Sequence, residues 1–262
     1  MIVLLDTSEA LDVCATELGC EVEQLLSPLT GFVRQKQHAN FAFDNGGFGG
    51  CPIDSYMRLL EREKEAKHLC RFATVPDIVG DARRTLEVFE HWKYKMSGWP
   101  LAFVAQNGQE DLPIPWKHIH ALFIGGLDKG DGHGDWKLGQ HAKACIRAAQ
   151  AMGKYVHVGR VNTPGRFDYF KNLDVDSIDG TGLSRYTHMR EDIWRSMNQP
   201  NLLTDLAPSA GDSFPHADHE SPTAETASGI TAETTNGSAG LCSTAQLEYL
   251  AGQDMSIHEE SQ

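Results

Sequence analysis

Asn40-Phe41-Ala42-Phe43-Asp44-Asn45-Gly46-Gly47-Phe48 runs from a short apolar stretch into a carboxylate and then turns on two glycines. An apolar run of that length suits a buried strand, and paired glycines let the backbone turn sharply and approach a flat ligand closely. The motif reads equally as a turn in which Asp44 caps a loop or helix. Val104-Ala105-Gln106, Ile124-Gly125-Gly126-Leu127 and Val175-Asp176-Ser177-Ile178-Asp179 have the same form, an apolar run that ends in polar residues or glycine. Asp176 and Asp179 share the ambiguity of Asp44, since Asp at a strand end commonly caps the turn that follows.

Working outward, candidate strands fall at Ile2–Leu5, Asn40–Phe43, Leu69–Val75, Leu101–Ala105, Ala121–Ile124, Tyr155–Val158 and Val175–Ile178. Helical spacing lies between several of them. It runs from Asp54 as cap through Met57, Leu60 and Lys64 to His68, from Asp81 through Leu86, Phe89 and Trp92 to Met96, and from Asp135 through Leu138, Ala142, Cys145 and Ala149 to Met152. Strand–helix alternation implies a parallel sheet with right-handed crossovers. The fold class expected is α/β, a TIM-like (β/α)8 barrel that is compact or has an irregular eighth strand, because seven strands are legible and the last is not. In such barrels the chemistry collects at the C-terminal strand ends.

Of 262 residues, 1–200 are assigned to the barrel and 201–262 to a mostly disordered acidic tail rich in Ser, Thr and Ala. That tail carries ten Asp or Glu and no Lys or Arg, so the net charge of -13 becomes -3 over residues 1–200, with 26 acids against 23 bases. A nearly neutral barrel does not exclude a phosphate-binding face. The six cysteines show no C-x-x-C pair or regular spacing. With no signal-peptide pattern and no apolar run near the roughly 20 residues of a membrane span, a cytoplasmic setting without a membrane partner is expected.

In order along the chain, these segments resemble the motifs of the tRNA-guanine transglycosylase superfamily. That family carries D-S/T-G-G-F after an early strand, then F-D-x-C, a V-Q-G-G strand end, a G-G-L strand end and V-D-x-F-D-x4-S/T-R. The counterparts here are Asp44 to Phe48, Val75-Pro76-Asp77-Ile78-Val79, Val104-Ala105-Gln106-Asn107-Gly108, Gly125-Gly126-Leu127, and Val175 to Asp179 followed by Ser184-Arg185. The resemblance implies that Asp179 is the nucleophile on C1′ of the target nucleotide and Asp44 the general acid/base. It also implies that Asp77, Gln106 and the Gly126 backbone read the purine-like ring, with Asn45, Phe48, Gly125 and Leu127 around it, while Arg185 holds a phosphate. No metal or organic cofactor is implied.

Family members acting on tRNA carry a C-x-C-x2-C…H zinc module after the nucleophile, whereas this chain has only Cys242 beyond Cys145. Val79 stands where the family usually has Cys, and Asn45 replaces Ser or Thr. The short chain without zinc module or appended RNA-binding domain is more similar to the 7-deazaguanine DNA transglycosylases of phages and bacterial modification systems. The expected partners are DNA, with tRNA as the alternative, and a 7-deazaguanine base such as 7-cyano-7-deazaguanine; a homodimer is one option. If the gene is phage-borne, the setting is the host cytoplasm.

Two rival readings belong beside this one. His118-Ile119-His120, with Asp128, Asp131, His133 and Asp135, resembles the metal-binding residues of amidohydrolase-like barrels, but H-x-H precedes a strand here rather than ending one. A non-catalytic nucleic-acid-binding subunit would use basic residues such as Arg58, Arg83, Arg84, Lys93, Lys95, Arg166, Lys171, Arg190 and Arg195 as a phosphate track. Retention of both Asp44 and Asp179 argues for catalysis.

Overall fold

The computed structural model describes residues 1–127 and 134–198. Eight strands, β1 (Ile2–Leu5), β2 (Val22–Leu26), β3 (Phe41–Phe43), β4 (Cys70–Thr74), β5 (Leu101–Ala105), β6 (Ala121–Ile124), β7 (Tyr155–Val158) and β8 (Ser177–Asp179), pair in parallel in sequence order. The ring closes where β8 meets β1, with Val3 opposite Ile178. This is a TIM-like (β/α)8 barrel. The acidic-tail assignment at 201–262 lies outside the described residues.

The strand missing from the sequence reading is the second, Val22-Glu23-Gln24-Leu25-Leu26. Its two polar side chains are buried and fully occupied. Glu23 forms a bidentate ion pair with Arg71, at 2.9 and 2.6 Å, and Gln24 bonds the backbone at Val33 and Gln35, at 2.8 and 2.7 Å. These partners come from elsewhere in the chain, so a local pattern could not reveal them. The last strand is short but regular, and it supplies the inward-facing pair Ser177 and Asp179.

Helices α1 (Leu11–Leu18), α2 (Ile53–Arg62), α3 (Ala82–Trp92), α4 (Gln140–Ala151), α5 (Pro164–Asn172), α6 (Thr181–Arg185) and α7 (Thr187–Asn198) complete the described elements with short 3₁₀ turns. Asp81, where the sequence placed the start of this helix, caps α3 by accepting from the Arg84 N–H at 3.1 Å. Asp54 instead lies inside the first turn of α2, which begins at Ile53 and gives way after Arg62 to a 3₁₀ segment, Lys64–Leu69. The buried stripe of α2 is Ile53, Tyr56, Leu59 and Leu60. Asp135 caps a 3₁₀ turn at Trp136–Leu138, and α4 starts only at Gln140.

Strand alternation divides the core into two layers. Outward side chains such as Leu5, Phe43 and Phe103 pack under helix residues including Phe89, Ile146 and Phe170. Inward side chains Leu4, Leu25, Ala42, Phe72, Ala102, Val104, Ala121 and Phe123 fill the barrel itself. Alanines facing Phe72 and Phe123 let the two rings meet edge to face at 6.3 Å. That packed floor leaves room only above it, at the C-terminal strand ends.

Candidate functional site

Above Phe123 the strand ends open into one cavity of about 760 Å³. Asp6 follows β1, Asp44 follows β3, Asp77 follows β4, Gln106 follows β5, Gly125 and Gly126 follow β6, Gly159 and Arg160 follow β7, and Asp179 ends β8; all line it. Residues up to 173 positions apart in sequence thus meet because each occupies the same place in its strand–helix unit.

Asp77 is the centre of a fixed polar network. Its Oδ1 accepts from Asn45 Nδ2 at 2.8 Å and its Oδ2 from Gln106 Nε2 at 2.6 Å. Gln106 Oε1 in turn accepts from the Gly80 and Gly126 N–H groups, at 2.9 and 2.8 Å. Burial raises the Asp77 carboxyl above the ordinary range, against those two donated bonds. Glycine is required beside this network: a Cβ on Gly47 would stand 2.8 Å from Asp77 Oδ1, and one on Gly125 would stand 2.8 Å from Gln106 Nε2.

Asp44 and Asp179 have contrasting surroundings. Burial, with the carboxylates of Asp179 and Asp77, pushes Asp44 up to about 7, and only the Gly46 N–H at 3.3 Å works the other way. Asp179 is held at both oxygens, Oδ2 by His157 Nε2 at 2.9 Å and Oδ1 by the Arg160 N–H at 3.0 Å. A carboxyl poised near neutrality suits proton transfer, and a carboxylate with two donors aimed at it suits an anion that attacks. Two acids of separate character in one cavity can make and break a glycosidic bond.

Asn45, Phe48 and Arg185 also line the cavity. The Asn45 amide is occupied in bracing Asp77, the Val75 carbonyl and the Gly47 N–H, which makes it a support for the recognition edge. Phe48 is 55% exposed at the mouth, with the Arg160 guanidinium 3.7 Å from its ring centroid. Arg185 is exposed, and among the described residues its guanidinium makes no hydrogen bond or ion pair.

Three expectations change. Leu127 does not line the cavity: its N–H and carbonyl are both clasped by the Asn107 amide at 2.9 Å. The Gly126 N–H is directed to Gln106 Oε1 instead of toward the cavity. Asp176, the other acid of its segment, precedes β8 at the strand's N-terminal end, outside the cavity lining, and accepts from the Val156 N–H at 2.7 Å.

The basic residues offered as a phosphate track do not line the cavity. Arg190 is fully buried against Glu9 and Glu17, and Arg166 pairs with Asp135 at 2.7 Å. His118 and His120 precede β6 and so sit at the end of the barrel opposite Asp44 and Asp179. Asp128, Asp131 and His133 lie outside the described residues. Among the described residues no group of three His, Cys, Asp or Glu is placed to hold a metal ion, and no helix is long and apolar enough to cross a membrane.

Three cavity groups and one residue beneath the cavity escaped the sequence reading. Asp6, pushed up to about 6 chiefly by burial, bonds Thr30 Oγ1 at 2.7 Å. It had the same signal as Asp44, an apolar run ending in Asp. Lys137, brought down to about 8 by burial, donates to the Gly159 carbonyl at 2.8 Å. Arg160 adopts a left-handed backbone, with φ of 61°. His157, inside an apolar strand, is the polar residue that reaches Asp179 from below the cavity.

No protein-family model and no curated protein sequence matches the chain. Among solved structures, phosphoribosyl anthranilate isomerase from Thermus thermophilus is similar at a TM-score of 0.38 and 14% identity, over 75% of this chain and 97% of that one. A likeness of that degree bears on no activity.

Proposed function

We propose that the protein is a base-exchange transglycosylase of the tRNA-guanine transglycosylase type that replaces guanine in DNA with a 7-deazaguanine. The observation that carries the reading is the fixed Asp77–Gln106 edge in the same cavity as the dissimilar acids Asp44 and Asp179. A carboxyl and a carboxamide side by side match the donor and acceptor edge of a guanine-like base. The cavity volume suits a nucleoside-sized ligand.

In the first half-reaction an Asp179 oxygen forms a bond to C1′ as the bond from C1′ to the guanine nitrogen breaks, and Asp44 gives its proton to the departing base. In the second, Asp44 takes a proton from the incoming deazaguanine while its nitrogen attacks C1′, and the electron pair returns to Asp179 as carboxylate. Arg185 at the mouth is free to meet a phosphate of the target strand. No step calls on a metal or organic cofactor.

The test is incubation of the purified protein with a labelled 7-deazaguanine base and duplex DNA, beside a tRNA arm. Label entering DNA with release of guanine is the expected result. Label entering tRNA alone would move the substrate, and no exchange with the nitrile, amine or amidine derivative on either polymer would sink the proposal.

A further inference from the structure

His157 has no exposed surface, yet both ring nitrogens are engaged. The ring lies inside the barrel with its centroid 4.5 Å from that of Phe123 and 4.9 Å from that of Phe72. Nδ1 is 2.8 Å from Ser177 Oγ and Nε2 is 2.9 Å from Asp179 Oδ2. Parallel register explains the bridge: His157 stands opposite Ser177, and Ser177 and Asp179 face inward from the same strand. One imidazole on β7 therefore spans two successive inward positions of β8.

We propose that His157 is the positioning residue of the Asp179 nucleophile, with Ser177 fixing the imidazole tautomer that performs this. The inference rests on the base-exchange reading. Asp179 can only accept along this contact as a carboxylate, so the hydrogen sits on Nε2. In the neutral imidazole Nδ1 is then an acceptor, and the Ser177 hydroxyl donates to it. The torsion of a free Asp carboxylate is broad. Here Nε2–H holds Oδ2 and the Arg160 N–H holds Oδ1, so the carboxylate plane is set before substrate arrives.

The same donor acts throughout the cycle without transferring its proton. When Oδ1 bonds to C1′, Oδ2 becomes the ester carbonyl oxygen and keeps the Nε2–H contact. When the incoming base displaces the ester, negative charge returns to a carboxylate that already has a donor aimed at it. Asp44 carries all the proton traffic.

Replacement by Phe fits the aromatic slot between Phe72 and Phe123 and deletes only the polar contacts, whereas Gln restores a side-chain N–H. His157→Phe should lower kcat by about 10²–10³-fold with KM for the free base unchanged. His157→Gln should recover about tenfold or more of that loss, and Ser177→Ala should cost about 10–100-fold in kcat. Thermal melts and circular dichroism of each variant establish that the barrel is intact. In parallel, ¹⁵N NMR of the wild-type ring should show the Nε2–H tautomer, lost or mixed in Ser177→Ala.

Unchanged kcat in a folded His157→Phe, or a wild-type ring carrying its hydrogen on Nδ1, overturns the inference. A loss in His157→Phe that appears in KM and is not rescued by Gln marks His157 as a packing residue and overturns it as well. Absence of exchange in the wild-type protein would remove the base-exchange reading by itself, and the NMR arm would still decide whether the ring donates to Asp179.

Discussion

Oδ2 of Asp77 accepts a 2.6 Å hydrogen bond from Nε2 of Gln106, joining the ends of β4 and β5 across 29 residues of sequence. The bond leaves a carboxyl and a carboxamide edge to edge, fixed behind by Asn45 and by the Gly80 and Gly126 N–H groups. Such an edge discriminates by hydrogen-bond pattern, because a base lacking one complementary group leaves a buried partner unpaired.

Gly125→Ala should disturb that edge without touching either acid. Its Cβ would fall 2.7 Å from Val104 Cγ1 and 2.8 Å from Gln106 Nε2, so the amide must move. We expect about a tenfold or greater rise in KM for the free base, worth about 1.4 kcal/mol, with kcat less affected. Gly165→Ala is the control, since nothing lies within 4 Å of its Cβ position. Equal KM in the two variants, measured by steady-state exchange, would detach Gln106 from base recognition.

Asp179→Asn should abolish exchange and any covalent DNA adduct on a denaturing gel, because an amide oxygen is a poor nucleophile. Asp176→Asn, at the N-terminal end of β8 and outside the cavity lining, should retain the adduct. An adduct that persists in Asp179→Asn and vanishes in Asp176→Asn would reverse the assignment.

The barrel was legible in the sequence where strands were uniformly apolar, as in Leu101–Ala105 and Ala121–Ile124. It was illegible at Val22–Leu26, whose buried Glu23 and Gln24 depend on Arg71, Val33 and Gln35. The site followed the same division. Asp44, Asp77, Gln106 and Asp179 could be placed at the cavity because acids and amides after strands are visible locally, a signal that Asp6 carried as well. His157 and Lys137 could not, because their roles come from neighbours across the barrel, Ser177 with Asp179 for one and the Gly159 carbonyl for the other. Leu127 was misplaced because motif adjacency says nothing of which way a residue turns after Gly126, where φ is 67°.

Asp44→Asn joins an activity prediction to a stability prediction. Loss of the acid should reduce kcat by about 10²–10⁴-fold and remove the alkaline limb near pH 7 from the guanine-release step, which needs Asp44 protonated. In the unfolded chain an Asp titrates near 3.9. Between about pH 4 and pH 7 the folded state holds a proton that the unfolded state does not, so this group's contribution to stability falls as pH rises through that window and its penalty is complete above 7. Asn cannot ionise, and the variant should gain about 1–2 kcal/mol at pH 8 and less at pH 5. Thermal melts at the two pH values check the sign; greater stabilisation at pH 5 would refute it.

Exchange should survive exhaustive chelation. The five carboxyls among the described cavity residues are occupied otherwise: Asp77 by two amides, Asp179 by His157 and the Arg160 N–H, Asp6 by Thr30, Glu9 by Arg190, and Asp44 by the Gly46 N–H. His118 and His120 are a barrel's length away from them. Inactivation by chelator that zinc or manganese reverses would instead require ligands drawn from this cavity or from residues 128–133.

Removing residues 201–262 should leave the chemistry intact and strengthen DNA binding at low salt. All eight strands and every described residue lining the cavity precede position 199, so the cut spares the ring and the described site. It deletes ten acids and no Lys or Arg, which takes the net charge from -13 to -3. An acidic segment tethered to the barrel repels the phosphate backbone, and this repulsion is screened within about 10 Å at 0.1 M salt. Titration of labelled duplex with the full chain and with residues 1–200 should therefore give tighter binding for the shorter protein at low ionic strength, the two curves converging as salt is added. A shortened protein that keeps its circular dichroism but loses base exchange would mean that the tail contributes a group to the site, and the barrel boundary at 200 would be wrong.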